Sequence, residues 1–268
     1  MEQSIERTGI QYIFDRITEA IAELGRVSIM YWGMIKSGLK RFPAERLVVA
    51  QMDTIGVGSL GLVLVVSLFT GGVAAVQAAY QFENVVPLRY LGAVILRSVI
   101  IELGPVLTAL VVGGRVGAAI AAELGSMKVT EQIDALRAMG INPLRFLVVP
   151  RVLASTIMLP VMTIFSDAIA VFGGFLVAVF AVGVSPGTYL NSLKDFFYYK
   201  DFLSGLIKAV FFGNIIGTMG CYFGFATEGG AEGVGVATTR AVVSSCVLVL
   251  VVDYMLASAL FQVIFADK

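Results

Sequence analysis

The feature that most constrains this chain is a long run without charge, because residues 54–82 contain no Asp, Glu, Lys or Arg. A helix needs roughly 20 consecutive apolar residues to cross the hydrocarbon core of a bilayer, and this run exceeds that length. The whole chain shares the bias, since 58% of its 268 residues are hydrophobic and only 14% are charged. In soluble domains, hydrophobic residues average about 45–50% of the sequence and charged residues about 25%. The sequence therefore predicts an all-α polytopic integral membrane protein.

Four further apolar segments follow the first predicted span. They cover about 92–120, 152–183, 203–225 and 241–265. The third apolar run continues to Leu193, so we expect its helix to end near 183 and an outer-side excursion to contain the SPG sequence at 185–187. This gives five spans. A sixth span within 152–201 is the alternative, and it would reverse the side on which the chain ends.

The first 47 residues differ from the rest and are expected to lie on the membrane surface. Apolar residues recur at three- and four-residue spacing in 1–26 while charged residues face elsewhere, which is typical of an interfacial amphipathic helix. The next apolar stretch is too short to cross, and its Tyr31 and Trp32 suit the headgroup layer. We therefore divide the chain into an interfacial helical element, 1–47, and a five-span transmembrane domain, 48–268.

The placement of Lys and Arg predicts the orientation. Seven basic residues precede the first span, four lie in 121–151, and one lies in 226–240, whose glycine-rich part at 226–235 is predicted to be a loop. The other side carries Arg89, Lys194, Lys200 and Lys268. Because cytoplasmic segments are enriched in Lys and Arg, we expect a cytoplasmic N-terminus and, after five spans, a C-terminus on the outer side.

Missing residue types narrow the function classes. The chain has no His, which removes Ser–His and Cys–His catalysis, His-ligated metals and His proton relays. No G-x-x-x-x-G-K-[ST] sequence occurs, so no cofactor is expected in this chain and ATP-driven work would need a partner. Cys221 and Cys246 lie in apolar stretches and do not suggest a disulfide framework. The charges balance, so nothing indicates nucleic acid binding.

Six charged residues lie inside the predicted spans, where a charge costs roughly 2.5–3.5 kcal/mol and needs a partner or a wet cavity. They are Arg97, Glu102, Arg115, Asp167, Lys208 and Asp253. Lys208 could pair with Glu102 or with Asp253 and so connect helices. One interpretation is that such a pair only stabilises helix packing. The other is that it lines a cavity that contacts polar headgroups, and both interpretations stay open. Arg115 lies near a span end, where its side chain can reach the interface.

Proline and glycine mark further positions in the spans. The Glu-Leu-Gly-Pro sequence at 102–105 and Pro160 predict kinks, which suit a cavity-lining helix but also occur in static membrane proteins. Glycines four residues apart let helices approach closely, either at an oligomer interface or within one subunit. The pairs are Gly113 with Gly117, Gly213 with Gly217, and Gly220 with Gly224.

An amphipathic pattern lies in the polar segment between the second and third spans. Ile133, Leu136 and Met139 recur at three-residue steps with charges between them, and Gly140 is a helix stop signal. We expect a short cytoplasmic helix at about 125–141. Membrane insertion does not require this helix, so a groove on a cytoplasmic partner is its natural binding site, with a helix lying idle on the membrane as the alternative.

Residues 102–151 closely resemble the MlaE (YrbE-like) permeases of MCE-associated ABC transporters; they read ELGPVLTALVVGGRVGAAIAAELGSMKVTEQIDALRAMGINPLRFLVVPR. The resemblance covers most of 45–265. It implies a homodimer in a bacterial inner membrane, each copy with an interfacial helix and five spans. It also implies two cytoplasmic ABC ATPase subunits that hold ATP and Mg²⁺, a periplasmic MCE-domain protein, often a small STAS-domain protein, and phospholipid or a related lipid as cargo.

The same resemblance assigns site residues. Glu102, Lys208 and Asp253 match the charged intramembrane positions of the family. Ile101 stands where many proteobacterial members carry Arg, and Arg97, one turn earlier, is the expected substitute. The short helix looks like a coupling helix that docks on the ATPase. Its expected contact residues are Glu123, Lys128, Glu131, Ile133, Asp134, Leu136, Arg137, Met139 and Gly140.

We expect ATPase closure to move this helix and to compress a lipid cavity between two permease copies. The outer end of that cavity would be lined by Leu64, Leu68, Val73, Val76, Gln77 and Tyr80. One rival hypothesis is an ion-coupled secondary transporter or channel that relays charge through Glu102, Lys208 and Asp253. Another is an intramembrane enzyme that uses Ser204 with Lys208.

Overall fold

The computed structural model describes residues 9–40, 44–82 and 86–265, and every regular element in these ranges is helical. The elements are α1 (Gly9–Lys40), α2 (Glu45–Phe82), α3 (Leu88–Val129), α4 (Gln132–Ala138), α5 (Leu144–Phe180), α6 (Pro186–Asp195), α7 (Tyr199–Phe225) and α8 (Gly230–Phe265). The predictions for residues 1–8, which include Arg7, and for Arg41 and Lys268 lie outside the described residues.

Five of these helices, α2, α3, α5, α7 and α8, are long and apolar enough to cross a membrane. This confirms the five-span prediction. The range 152–201 holds only one such helix, α5, and the expected excursion contains the ten-residue helix α6. The hydroxyl of Ser185 accepts a hydrogen bond from the Thr188 amide and caps the start of α6. The described residues therefore do not contain the alternative sixth span.

The predicted ends of the spans were less accurate. The first span begins at Glu45, well before residue 54, and α8 begins at Gly230. The predicted loop at 226–235 is thus wrong over its second half, because only 226–229 separate α7 from α8. Positive φ values at Gly229 (85°) and Gly230 (71°) place the turn there, and the following glycines continue the helix.

Helix α1 is a continuous helix of 32 residues that joins the predicted surface helix to the short apolar stretch. It is not among the five spans. It packs across the beginning of α5 and the end of α7. Asn142 donates a side-chain hydrogen bond to Ser37 (3.3 Å), and Arg26 Nε donates one to the Tyr222 hydroxyl (3.2 Å). Its interfacial position stays a prediction.

The contacts define two ends of the helical bundle. Helix α1, helix α4 and the 226–229 turn meet at one end, where Gly125 lies against Thr227 and Gly33 against Leu144. We name this the basic end, because the segments that meet there together carry most of the Lys and Arg residues outside the spans. Helix α6 lies at the opposite end, where the Tyr90 and Phe196 rings meet edge to face at 5.8 Å. The grouping of segments expected from their charges is therefore present in the fold.

Helix α5 lies centrally and touches its neighbours at glycines. A Cβ atom at Gly71 of α2 would overlap the Ala170 carbonyl group, and one at Gly173 would overlap the Leu68 carbonyl. On the other side, Gly213 of α7 meets the Ser155 carbonyl. Close approach of this kind replaces the hydrophobic effect as the source of helix association in lipid.

The three predicted glycine pairs also pack inside the subunit. Gly113 and Gly117 face Ile216, whereas Gly220 and Gly224 face α3. Gly217 joins Gly213 against Ser155. These pairs therefore follow the second of the two readings, close packing within one chain.

Four π-helical turns interrupt the spans, at Asp53–Val57, Val99–Leu103, Gly113–Gly117 and Leu144–Val148. The second ends two residues before Pro105, which has no N–H to donate to the carbonyl group one turn earlier. The wider turn absorbs this lost hydrogen bond, and α3 continues through the Glu-Leu-Gly-Pro sequence. Turns of this kind are frequent at functional sites, and this one contains Glu102.

The glycine contact between α2 and α5 can be tested with two substitutions in one helix. Gly71→Ala forces α2 away from Ala170 and should lower the free energy of unfolding by about 1–3 kcal/mol. Gly61→Ala is the matched control, because nothing lies within 4 Å of the added Cβ. Thermal unfolding in detergent, followed by size-exclusion chromatography, measures both. Equal stability of the two variants would contradict this packing.

Candidate functional site

Lys208 of α7 is the centre of an ion cluster that joins three spans. Its side chain is only 1% exposed. Its ammonium group donates a hydrogen bond to Glu102 Oε1 of α3 at 2.6 Å and lies 3.0 Å from Asp253 Oδ1 of α8. The second contact is an ion pair without hydrogen-bond geometry, because Asp253 Oδ1 accepts no hydrogen bond from the described residues. Lys208 therefore pairs with both Glu102 and Asp253, which the sequence analysis treated as alternatives.

A close contact of α7 with α3 brings this cluster together. Gly205, one turn before Lys208, lies against the Ile100 carbonyl group, within the π-helical turn that contains Glu102. A side chain at 205 would push the two helices apart at this level. The absence of a side chain at Gly205 therefore lets the Lys208 ammonium group come within bonding distance of the Glu102 carboxylate.

The two carboxylates of the cluster differ from Lys208 in exposure. The side chain of Glu102 is 44% exposed and that of Asp253 is 18% exposed. One cation and two carboxylates leave the cluster with a net negative charge if all are ionised. Because a carboxylate facing hydrocarbon is costly, this face of the subunit needs water, a polar ligand or a second protein surface beside it.

The other intramembrane charges have different partners. Arg97 donates to Asp201 at 2.9 Å and its guanidinium lies 5.4 Å from the centre of the Tyr198 ring, close to the opposite end. Arg115 donates to the Ser59 hydroxyl at 2.6 Å. Sequence reasoning missed Asp201 and Tyr198, because both precede the predicted start of the fourth span. The sequence did indicate that Arg97 has a polar partner, because an Arg inside a span requires one.

Asp167 is the remaining predicted charge, and it lies apart from Lys208. Its side chain is buried in α5 against Gly104 of α3. Its Oδ1 atom accepts no hydrogen bond from the described part of the chain. The hydroxyl groups of Ser67 and Ser166 lie nearby along the same helix contact and bond to each other at 2.7 Å.

The predicted coupling segment is shorter than expected. Residues from 125 onward complete α3 as far as Val129, so the prediction of one helix over 125–141 is wrong in its bounds. The chain turns at Thr130 and Glu131, where Glu131 has a φ of 60°. Helix α4 then covers Gln132–Ala138, and Gly140, with a φ of 75°, follows its end. The glycine stop signal was therefore read correctly.

Helix α4 has one buried side and one open side. Ile133 is fully buried in the main core, and Leu136 packs partly against it. On the open side, Asp134 binds both Lys128 (3.1 Å) and Arg137 (2.9 Å). Met139 is 66% exposed beyond the end of the helix. The arrangement holds α4 on the bundle by an apolar anchor while its charges and Met139 face outward at the basic end.

Glu123 differs from the other predicted contact residues. Its carboxylate makes an ion pair with Arg151 of α5 at 2.7 Å, although its side chain is 54% exposed. The Arg151 side chain is almost completely buried and also donates to the Leu147 carbonyl group. This ion pair connects α3 to α5 beneath α4, a role that sequence reasoning did not assign.

The predicted cavity residues of the first span occupy two faces of α2. Val73, Val76, Gln77 and Tyr80 are exposed on the outer half of the helix. Leu64 and Leu68 are half-buried, and the Leu68 backbone contacts Gly173 of α5. Their place in a shared cavity stays a prediction.

No group of three or more His, Cys, Asp or Glu side chains within the described ranges could hold a metal ion. Cys221 and Cys246 are free thiols, in agreement with the absence of a predicted disulfide framework.

Comparison with known proteins places this geometry in a family. Residues 48–259 match the family model "Permease MlaE". A probable ABC transporter permease protein of Rickettsia bellii is 40% identical over 90% of this chain and 93% of its own length. The intermembrane phospholipid transport system permease protein MlaE of Haemophilus influenzae is 36% identical over 92% of this chain and 95% of its own.

A chloroplast protein is also similar. Protein TRIGALACTOSYLDIACYLGLYCEROL 1 of Arabidopsis thaliana is 38% identical over 79% of this chain and 61% of its own length. The family model covers the ion cluster, helix α4 and all five spans, apart from the first three residues of α2 and the last few of α8. The chain belongs to the MlaE permease family.

Proposed function

We propose that this multi-pass membrane protein is the permease subunit of an ABC transporter that moves phospholipid between the inner membrane and a periplasmic MCE-domain carrier. The family and the name of the Haemophilus relative support this proposal. Partner ATPase subunits would bind ATP and Mg²⁺ and hydrolyse the nucleotide, and this chain would be non-catalytic. A small STAS-domain protein is a further proposed partner.

The observation that carries the proposal is the partly exposed ion cluster of Glu102, Lys208 and Asp253. It lies on a face where the ring of Tyr254, the residue after Asp253 in α8, is exposed. Two copies that place these faces opposite each other would enclose a cavity with charged and apolar walls. A phospholipid has the same two properties, because its headgroup is polar and its acyl chains are apolar. A homodimer would also remove the carboxylates from contact with lipid tails.

Helix α4 is the proposed docking element for the ATPase. Its outward charges and Met139 suit a groove on a partner, and Ile133 would transmit a push from that partner into the core. The basic end would then be cytoplasmic, in line with its excess of Lys and Arg. The N-terminus would be cytoplasmic and the C-terminus periplasmic.

The two rival hypotheses receive less support. An ion-coupled transporter or channel is not favoured, because the relatives are named as permeases of ABC systems. For an intramembrane enzyme, Ser204 would need its hydroxyl group directed to Lys208. That hydroxyl instead donates to the Asp201 carbonyl group at 2.9 Å.

The first test is purification of the tagged protein from its native membrane in mild detergent. Mass spectrometry should identify an ABC ATPase, an MCE-domain protein and bound phospholipid. Proteoliposomes of the complex should move lipid only when ATP is supplied. Recovery of the chain alone, with transport driven by an ion gradient, would contradict the proposal and favour the secondary transporter.

Helix α4 can be tested by changing its exposed tip. Met139→Asp places a charge at an apolar contact and should remove most of the co-purified ATPase while the permease stays folded, because Met139 contributes little to the core. Leu190→Asp, an exposed apolar residue of α6 at the opposite end, is the control and should retain the ATPase. Equal ATPase recovery from both variants would show that α4 is not the dock.

The stability role of the ion cluster is tested with Lys208→Met. Removing the cation leaves two carboxylates unpaired, and loss of one partner of a buried ion pair typically costs about 3–5 kcal/mol. Thermal unfolding in detergent should therefore occur at a clearly lower temperature. Lys194→Met, at an exposed position of the opposite end, should behave like the unmodified protein.

A neutral triple variant separates stability from transport. Glu102→Gln, Lys208→Met and Asp253→Asn together remove all three charges and should recover most of the stability lost with Lys208→Met alone. If the cluster contacts lipid headgroups, ATP-dependent lipid transport stays low in the stable triple variant. Recovery of transport together with stability would show that the ion pairs only hold the helices.

A further inference from the structure

Two cavities that differ in polarity lie end to end along the seam between α1 and the spans α7 and α8. The first, of about 690 Å³, lies at the basic end; five charged side chains line it together with about as much apolar surface, and we call it the polar cavity. The second, of about 400 Å³, has a mostly apolar lining. None of the residues that line either cavity belongs to the Lys208 cluster, so this seam is separate from the proposed transport site.

The order of the two cavities is the same on α7 and on α8. On α7, Tyr222 lines the polar cavity and Asn214 lines the apolar one, which is about 12 Å farther from the basic end. On α8, Arg240 lines the first and Leu248 the second. The seam therefore changes from polar to apolar in the direction of the bilayer centre, as a phospholipid does from its headgroup to its acyl chains.

The polar cavity contains both signs of charge. Its charged residues are Glu23, Arg26, Glu228, Glu232 and Arg240. The hydrogen bond from Arg26 to Tyr222 raises the pKa of the guanidinium, which stays protonated. Two guanidinium groups suit a phosphate, and three carboxylates suit an ammonium group. The excess of carboxylates disfavours a purely anionic headgroup and favours a zwitterionic one.

An unpaired hydroxyl group lies at the level of the apolar cavity. Thr218 lines this cavity, and its buried hydroxyl makes no hydrogen bond to the described residues. Thr218 lies one turn from Tyr222, close to where the two cavities meet. The ester carbonyl groups of a glycerophospholipid occupy the same level between headgroup and chains, and a hydroxyl group can donate to them.

We propose that this seam binds one resident zwitterionic phospholipid of the phosphatidylethanolamine type. Its phosphate and ammonium groups occupy the polar cavity, one ester carbonyl accepts from Thr218, and an acyl chain fills the space beside Tyr31 and Trp32. The lipid fastens α1 to α7 and α8. It is not the transported molecule, and its binding does not depend on the Lys208 cluster.

The test measures lipid retained by the full-length protein. The protein is equilibrated in detergent micelles with equimolar phosphatidylethanolamine and phosphatidylglycerol, washed, and analysed by native mass spectrometry. We expect the unmodified protein to retain phosphatidylethanolamine in preference to phosphatidylglycerol. No retained phospholipid would overturn the site, and a preference for phosphatidylglycerol would overturn the headgroup assignment.

Two pairs of variants locate the binding. Thr218→Val removes one donor at nearly constant volume and should reduce retention about fivefold. Thr108→Val is its control, because the Thr108 hydroxyl is also buried and unpaired but lines neither cavity. Ser28→Phe fills the apolar cavity and should abolish retention, whereas Ser28→Ala should preserve it.

Equal retention by both members of each pair would overturn the proposal. If Ser28→Phe fails to fold, the threonine pair and the lipid competition still decide it. The neutral triple variant of the ion cluster should keep the resident lipid. A failure of lipid transport and a failure of the seam site are thus seen in different measurements.

Discussion

The backbone contact between Gly205 of α7 and Ile100 of α3 determines how the charged centre of this permease is built. In a bilayer, a buried ammonium group is tolerated only when opposite charges reach it. The glycine allows α7 and α3 to come close enough for Lys208 to bind Glu102, and α8 supplies Asp253 from the other side. Small residues and charges therefore act together here, because close approach of the backbones makes the ion cluster possible.

Close backbone contacts at glycines also position α5. Glycines at its contacts with α2 and α7 leave room for backbone atoms to meet, so these helices pack closely. The two cavities described above lie instead at the seam of α1 with α7 and α8, where the described glycines make no such contact. The fold thus combines a tightly packed group of spans with a more loosely attached amphipathic helix. This difference explains why the seam has space for the two cavities.

The number of spans was predictable because uncharged runs of this length have few other uses. The ends of the helices were not predictable from the sequence. Asp53 is accommodated in a π-helical turn, and the glycines after Gly230 continue a helix. The partners of Lys208 were predictable from the need to neutralise a buried charge. The ion pair of Arg97 with Asp201 was missed, because pairs between distant segments depend on which helices become neighbours.

The ends of helix α4 could also be predicted only in part from the sequence. The three-residue pattern of Ile133, Leu136 and Met139 indicated a helix and its buried side, and Ile133 is buried. The left-handed conformation of Glu131, which separates α4 from α3, has no sequence signal, since Glu rarely adopts positive φ. Only the packing of the surrounding helices fixes that turn.

The length of α3 has a consequence for how the bundle meets the surfaces of the membrane. Its 42 residues extend for about 60 Å at the rise of an α-helix, whereas a bilayer with its headgroups is about 40–45 Å thick. A tilt of about 20° shortens the projected length by only a few ångström. At least one end of α3 therefore extends beyond the headgroups; an extension at Val129 would let a soluble protein reach α4 without displacing them.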